Sequence, residues 1–342
     1  MKGELTADRA IPELRQDILT GEWVVIASSR ATRPESFSTE PKKPPKKYLA
    51  SCPFCSGNEA QTPPEVFAIR PADSANDTTG WKVRVVPNKF PALLNEGWHS
   101  PATEERGIYS FKQALGHHEV IVHSPDHNNT LAQMDPEYLE LVLRVYQDRL
   151  EALSKDPKAV SAIIIINQGR EAGASIEHPH SQLFTLPLLA PRLKLELEKI
   201  KGYQSQHGQC LVCSMIENEH AHGQRLVAEN EHFSAFCPFA SRSPFEIFIA
   251  PKKHQSAFGQ ADGAQLRSFA HILKLLFSRL QERLGDPPYN AFLHTRPFRG
   301  RKRDYHWHFV ILPKISTVAG FEFGTDITIN VVEPEAAAEF LR

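Results

Sequence analysis

Two stretches of the chain read as strands that run into a proline turn and then a histidine: HEVIVHSPDH at 118–127 and FEIFIAPKKH at 245–254. A helix is predicted after each. Asp135 and Pro136 have the character of an N-cap and first helical position, and Leu139, Val142, Leu143, Tyr146 and Leu150 follow at helical spacing. Leu266, Phe269, Leu273, Leu276, Phe277 and Leu280 repeat that stripe. Each helix is followed by a strand, a polar loop and a second strand carrying His-x-His: SAIIIINQGREAGASIEHPHSQLFTLP first, NAFLHTRPFRGRKRDYHWHFVILP later. His127 precedes His178 by 51 residues and His254 precedes His306 by 52. Matching order and spacing mean a duplicated unit. The expected fold is α+β, with an antiparallel sheet and a packed long helix in each half, 1–195 and 196–342, and the two sheets joined.

Composition narrows the setting. Of 342 residues, 41% are apolar and 23% charged, which is a globular balance. Thirty-nine basic against 40 acidic residues leave a net charge of −1, so no nucleic-acid partner is expected. No apolar run is long enough to span a membrane, and MKGELTADRA lacks the apolar core of a signal peptide, so the expected compartment is the cytosol. PKKPPKKY (41–48) reads as an extended, solvated connector.

Four of the five cysteines form two C-x-x-C pairs. In a reducing compartment such pairs are metal ligands or redox motifs more often than disulfides. Each pair needs two further ligands to close a tetrahedral shell, and the repeat supplies them at matched places. Site one is Cys52, Cys55, His127 and His178; site two is Cys210, Cys213, His254 and His306. His308 competes with His306, and the repeat favours His306. Two thiolates and two neutral imidazoles favour zinc, and a full shell of four protein ligands makes both sites structural. Cys237, within FSAFCPF, reads as a small core residue.

The most specific pattern is N-x-G-x-x-x-G-x-S-x-x-H-P-H-x-Q, from Asn167 through Gly169, Gly173, Ser175, His178, Pro179 and His180 to Gln182. A Gly/Ser loop can turn backbone N–H groups and a hydroxyl toward a phosphate. On a strand, His178 and His180 would share a face, with Gln182 beside them. If His178 is fixed on zinc, it anchors the strand that presents His180. A free imidazole there can attack phosphorus, provided an acceptor, such as a backbone carbonyl, holds its other nitrogen. Gln182 can donate to the phosphoryl oxygens.

These residues resemble the galactose-1-phosphate uridylyltransferase family of the histidine-triad superfamily. The likeness runs from about Arg15 to the C-terminus and includes RATRP (30–34), VPNKFPAL (86–93), SPDH and GFE (320–322). It implies that His180 is the nucleophile of a nucleotidyl-histidine intermediate. It implies that Gln182, Ser175, Gly173 and Asn167 surround the phosphates, that Ser181 is a substrate-binding residue and that Arg30 and Arg33 lie near the diphosphate. It assigns Asn88 to the nucleoside, and Phe321 and Glu322 to the hexose. The implied reaction is ping-pong uridylyl transfer between UDP-glucose and a hexose 1-phosphate, by a homodimer. Two features leave the base open. Lys89 stands where uridylyltransferases often have Asp, and the second C-x-x-C with GFEFGT is more similar to the ADP-glucose phosphorylase branch, which transfers adenylyl groups through the same histidine. A non-catalytic zinc module that binds nucleotides is the remaining alternative.

Overall fold

A computed structural model describes residues 11–28, 37, 46–95, 103–299 and 305–342. Arg30, Arg33 and the basic residues 301–303 lie outside the described residues. The first half contributes strands β1 (Glu13–Gln16), β2 (Trp23–Ile26), β3 (Phe67–Ile69), β4 (Val83–Pro87), β5 (Glu104–Arg106), β6 (Tyr109–Phe111) and β7 (His118–Val122). Helix α1 (Pro136–Ser154), β8 (Ser161–Gln168) and β9 (His180–Leu186) follow. Two helices, α2 (Pro191–His207) and α3 (Leu211–His222), lead into β10 (Leu226–Glu229), β11 (Phe233–Phe236) and β12 (Ile247–Pro251). Then come α4 (Gly263–Leu284), β13 (Tyr289–His294), β14 (His308–Pro313), α5 (Gly320–Thr325), β15 (Thr328–Asn330) and α6 (Pro334–Leu341).

The architecture is α+β. Ten strands form one antiparallel sheet in the order β10-β11-β12-β14-β13-β8-β9-β7-β4-β3. Read from either edge, that order passes through the same repeat units. The halves join at β8 and β13, where Asn167 faces Asn290 and Ile163 faces His294. The long helices α1 and α4 pack together on one face. Their apolar stripes meet Ile164, Ile166 and Leu183 in a single core that crosses the repeat boundary. Because strand side chains alternate, Ile163, Ile165, Asn167, His180 and Gln182 turn to the opposite face. That face carries the candidates His180 and Gln182 of the sequence motif, with Asn167 beside them.

Both predicted helices are present, and the one predicted start, at Asp135 and Pro136, is where α1 begins. At α4, Asp262 accepts from Gln265 N–H at 2.9 Å while Gln265 Oε1 accepts from Asp262 N–H at 3.0 Å, a closed capping box. Asp135 stands at the N-cap of α1 without a side-chain cap bond, and Pro136 sets the first turn. Three features cut across a simple tandem. Residue 195 falls inside α2. Strand β15, near the C-terminus, pairs in parallel with β2 in a small separate sheet. Glu335 of α6 also holds Arg15, at 3.0 Å. Among the described residues, no helix is long and apolar enough to cross a membrane.

Candidate active site and metal centres

Strand β9 begins at His180, so His178 is not a strand residue. It lies in the bend ahead of Pro179, and this corrects the expectation that both histidines share a strand face. The bend turns the fully buried His178 Nδ1 toward the sulfurs of Cys52 and Cys55, each 3.7 Å away. Its Nε2–H donates to Ser124 O at 2.7 Å. His178 O in turn accepts from His180 Nδ1–H at 2.8 Å. That bond fixes the His180 tautomer and leaves the Nε2 lone pair free. Burial lowers the His180 pKa, so the ring is held neutral. The edge-on ring of Phe54 lies 5.2 Å from it.

Gln182 shares the face of His180, and its Oε1 lies 2.8 Å from His118 Nε2. Asn88 follows β4, donates its N–H to His118 O at 2.8 Å and caps Phe90 N–H with its Oδ1 at 2.8 Å. Ser181 is a correction. Strand alternation sends it to the helix face, where it is fully buried and its Oγ meets His123 Nε2 at 3.0 Å. It does not share the face of His180 and Gln182.

The Gly/Ser loop is built differently from a simple amide cradle. Gly169 (φ 84°) and Gly173 (φ 86°) bracket a single 3-10 turn, Arg170–Ala172. Gly173 N–H closes that turn on Arg170 O at 2.9 Å, and Ala174 N–H goes to Gly169 O at 3.1 Å. These two amides are therefore spent inside the loop. Ser175 lies beyond them and is exposed. Asn290, from the second half, holds the loop: its Nδ2 donates to Asn167 Oδ1 and to Ala172 O, both at 2.8 Å. The Asn167 amide nitrogen is thereby turned toward Gly173, 3.9 Å from where a Cβ on that glycine would lie. A Cβ at Gly169 would stand 2.9 Å from Pro288 Cβ, in a backbone region that side chains avoid. Gly169→Ala is expected to lose about 1–3 kcal/mol of stability, read from urea unfolding; an unchanged midpoint would mean that the turn relaxes freely.

Phe321 and Glu322 lie on α5, which packs on β15 of the small sheet. Glu322 accepts from Ala319 N–H at 3.0 Å. Among the described residues, no hydrogen bond or ring contact joins this pair to His180, Gln182 or Asn167.

Both predicted metal sets assemble. Cys52, Cys55, His127 and His178 are all buried, with their donor atoms within 4.8 Å of one another. Cys55 Sγ lies 3.5 Å from His127 Nδ1 and accepts from Leu49 N–H at 3.4 Å. Cys210, Cys213, His254 and His306 form the matching set, with His254 exposed and both cysteines half-buried. His306 Nδ1 lies 3.6 and 3.5 Å from the two sulfurs, and its Nε2–H donates to Pro251 O at 3.0 Å, as His178 does to Ser124. Two sulfurs with two Nδ1 atoms, both anchoring imidazoles tied from behind by a carbonyl, fit a tetrahedral soft cation such as zinc.

A third group escaped the sequence reading. Glu196, His294 and His308 are buried together with their ligand atoms within 4.8 Å of one another, and they too can hold a cation. His308 is the repeat partner of His180, and its Nδ1 faces His306 O at 3.2 Å. Here the resemblance stops. His294 stacks on it at 4.8 Å, Phe248 at 4.6 Å, and Glu196 Oε1 lies 4.0 Å from its Nε2. Burial pulls the His308 pKa down to about 3. Burial pushes the Glu196 carboxyl up, but the facing histidines and Arg192 more than reverse this and keep it ionised. The second half has thus packed side chains against the histidine that matches His180. The sequence signal was available only as one distant glutamate in α2, which no local spacing ties to His294 or His308.

Comparison with known proteins gives the same family over the whole chain. Residues 3–190 match the galactose-1-phosphate uridyl transferase N-terminal domain and residues 196–342 its C-terminal domain. An ADP-glucose phosphorylase from Arabidopsis thaliana is 34% identical over 97% of this chain and 92% of its own length. A galactose-1-phosphate uridylyltransferase from Thermotoga maritima is 28% identical over 96% of this chain and 98% of its own. A crystal structure of an Arabidopsis thaliana ADP-glucose phosphorylase with bound ADP-glucose matches with a TM-score of 0.83 at 33% identity, covering 97% of this chain and 98% of that one. These relatives are transferases, and this chain, an enzyme of that class, belongs to the galactose-1-phosphate uridyl transferase family.

Proposed function

We propose that the protein transfers a nucleotidyl group from a nucleoside diphosphate sugar to a second phosphorylated acceptor through a covalent intermediate on His180. The observation that carries this is the His180 ring itself: Nδ1–H donates to His178 O at 2.8 Å, which leaves Nε2 as a neutral nucleophile on the sheet face opposite α1 and α4. His180 Nε2 attacks the α-phosphorus. The N–P bond forms, the P–O bond to the sugar phosphate breaks, and sugar 1-phosphate leaves with that electron pair. An acceptor phosphate oxygen then attacks the same phosphorus and frees the imidazole. Gln182 and Asn167 donate to the phosphoryl oxygens as their charge develops. Zinc at the two Cys/His sets would be structural: it would hold His178 and His306 in place and take no part in the transfer. A cytosolic homodimer completes the reading.

For the base, the adenylyl reading is favoured over the uridylyl one. Its support is the greater likeness to an ADP-glucose phosphorylase and the presence of the second Cys/His set. Uridylyl transfer from UDP-glucose to a hexose 1-phosphate remains the second reading, supported by the family itself. Weighing the intact protein after incubation with ADP-glucose or UDP-glucose decides between them. An adenylyl adduct supports the first, a uridylyl adduct the second, and the absence of both removes the covalent mechanism.

Gln182→His should slow transfer and raise the share of hydrolysis, because a titratable ring can pass a proton to water where an amide cannot. The expected loss is that of one preorganised donor, about 2.7–4 kcal/mol. The ratio of free nucleotide to transferred nucleotide measures it. A wild-type rate with an unchanged ratio would mean that Gln182 only packs.

A further inference from the structure

We infer that His118 is a positioning residue, which locks the Gln182 side chain with its NH2 group turned to the reacting phosphoryl and its carbonyl oxygen turned away. This rests on the nucleotidyl-histidine reading above. A glutamine amide has two orientations of nearly equal shape and opposite chemistry. One offers hydrogens to an anionic phosphoryl group, and the other offers it a repelling oxygen. A glutamine beside the nucleophile is useful in only one of them, so something must choose.

The choice traces back to a backbone group that cannot flip. Ala92 N–H donates to His118 Nδ1 at 3.1 Å. That nitrogen must therefore carry the lone pair. A neutral imidazole has one N–H, so the hydrogen is on Nε2. His118 Nε2 faces Gln182 Oε1 at 2.8 Å, and a donor there admits only the oxygen of the amide. Asn88 does not compete as an acceptor. Its Oδ1 is engaged by Phe90 N–H at 2.8 Å, and its NH2, 3.0 Å from His118 Nε2, is a second donor that forms no hydrogen bond with the Nε2–H, so Gln182 Oε1 is the one acceptor beside it. The ring is held flat on Phe184, 4.0 Å between centroids with 25° between planes. Burial lowers the His118 pKa, which keeps the ring in the neutral form this chain of bonds requires.

The duplication supplies an internal control. Aligned on the two strand-turn-histidine segments, His118 falls on Phe245, and aligned on the His-x-His strands, Gln182 falls on Val310. The half that carries His180 has both members of the pair. The half that carries His308 has neither.

The test is a double-mutant cycle on formation of the nucleotidyl-protein adduct, followed by rapid mixing with whichever of ADP-glucose or UDP-glucose modifies the wild-type protein. His118→Phe keeps the stacking and removes both ring nitrogens. It should slow adduct formation by about 10–100-fold, the usual effect of removing a group that orients a reacting one, with little change in the substrate concentration giving half-maximal rate. In a Gln182→Ala background the same change should have no further effect. His118→Gln, which can present an amide N–H to Oε1, should recover part of the rate in the Gln182 protein and none in the Gln182→Ala protein. If His118→Phe fails to fold, His118→Leu, which also lacks a donor, carries the cycle with the same expected coupling. Additive losses, or a wild-type rate in the single variant, would overturn the role given to His118 while leaving the nucleophile intact. A wild-type protein that forms no adduct would instead overturn the function on which the role rests.

Discussion

A His180→Asn protein will fold, keep its metal and bind nucleotide sugar, yet turn none of it over. The substitution removes the one ring nitrogen left free at the head of β9. Its asparagine NH2 can still donate to His178 O, so the bend at Pro179 has no reason to open. His178, whose carbonyl ties the two residues together, directs its own ring away from the reaction, to Cys52 and Cys55. Loss of a nucleophile in a covalent mechanism removes rate on the order of 10⁶-fold, because the remaining groups stabilise charge but cannot form the bond. The measurement is multiple-turnover release of sugar 1-phosphate, with unfolding and metal content as controls. Retained turnover in a preparation free of wild-type protein would sink the mechanism.

The second large effect is on stability. Cys52→Ser breaks a ligand set that is buried on every side. Hydroxyl oxygen is a poor substitute for thiolate at a soft cation. The freed Cys55, His127 and His178 would then share a buried pocket built for a charge that has gone. In small zinc modules, binding is worth about 10–16 kcal/mol of folding free energy, and a large core that folds partly without metal will lose less, several kcal/mol. The expected outcome is a lower metal-to-protein ratio and a clearly lower melting temperature. Activity should fall later and indirectly, as His178 loses its direction and with it the acceptor for His180 Nδ1–H. Cys213→Ser, in the set that includes the exposed His254, is the comparison: it should reduce metal content with a smaller stability loss. An unchanged metal ratio in Cys52→Ser would remove Cys52 from the site.

Local patterns in the chain determined a good deal. The duplication, both Cys/His sets and the N-terminal position of α1 are readable from spacing and residue order, and the backbone acceptor behind His180 follows from what a neutral imidazole nucleophile requires. The two His-x-His strands also left His306 and His308 as rivals for one metal set. Only the assembled sheet separated them, by turning His306 to the cysteines and His308 to Glu196 and His294. Ser181 is one residue from His180, so strand alternation puts it on the opposite face, and the sheet packing shows that face to be the one covered by the long helices. The Glu196 cluster, the hold of Asn290 on the Asn167 loop and the His118–Gln182 pair have no linear signature. Each joins elements far apart in the chain through sheet pairing or helix packing, and such contacts exist only once the hydrophobic core has brought the two halves onto one sheet.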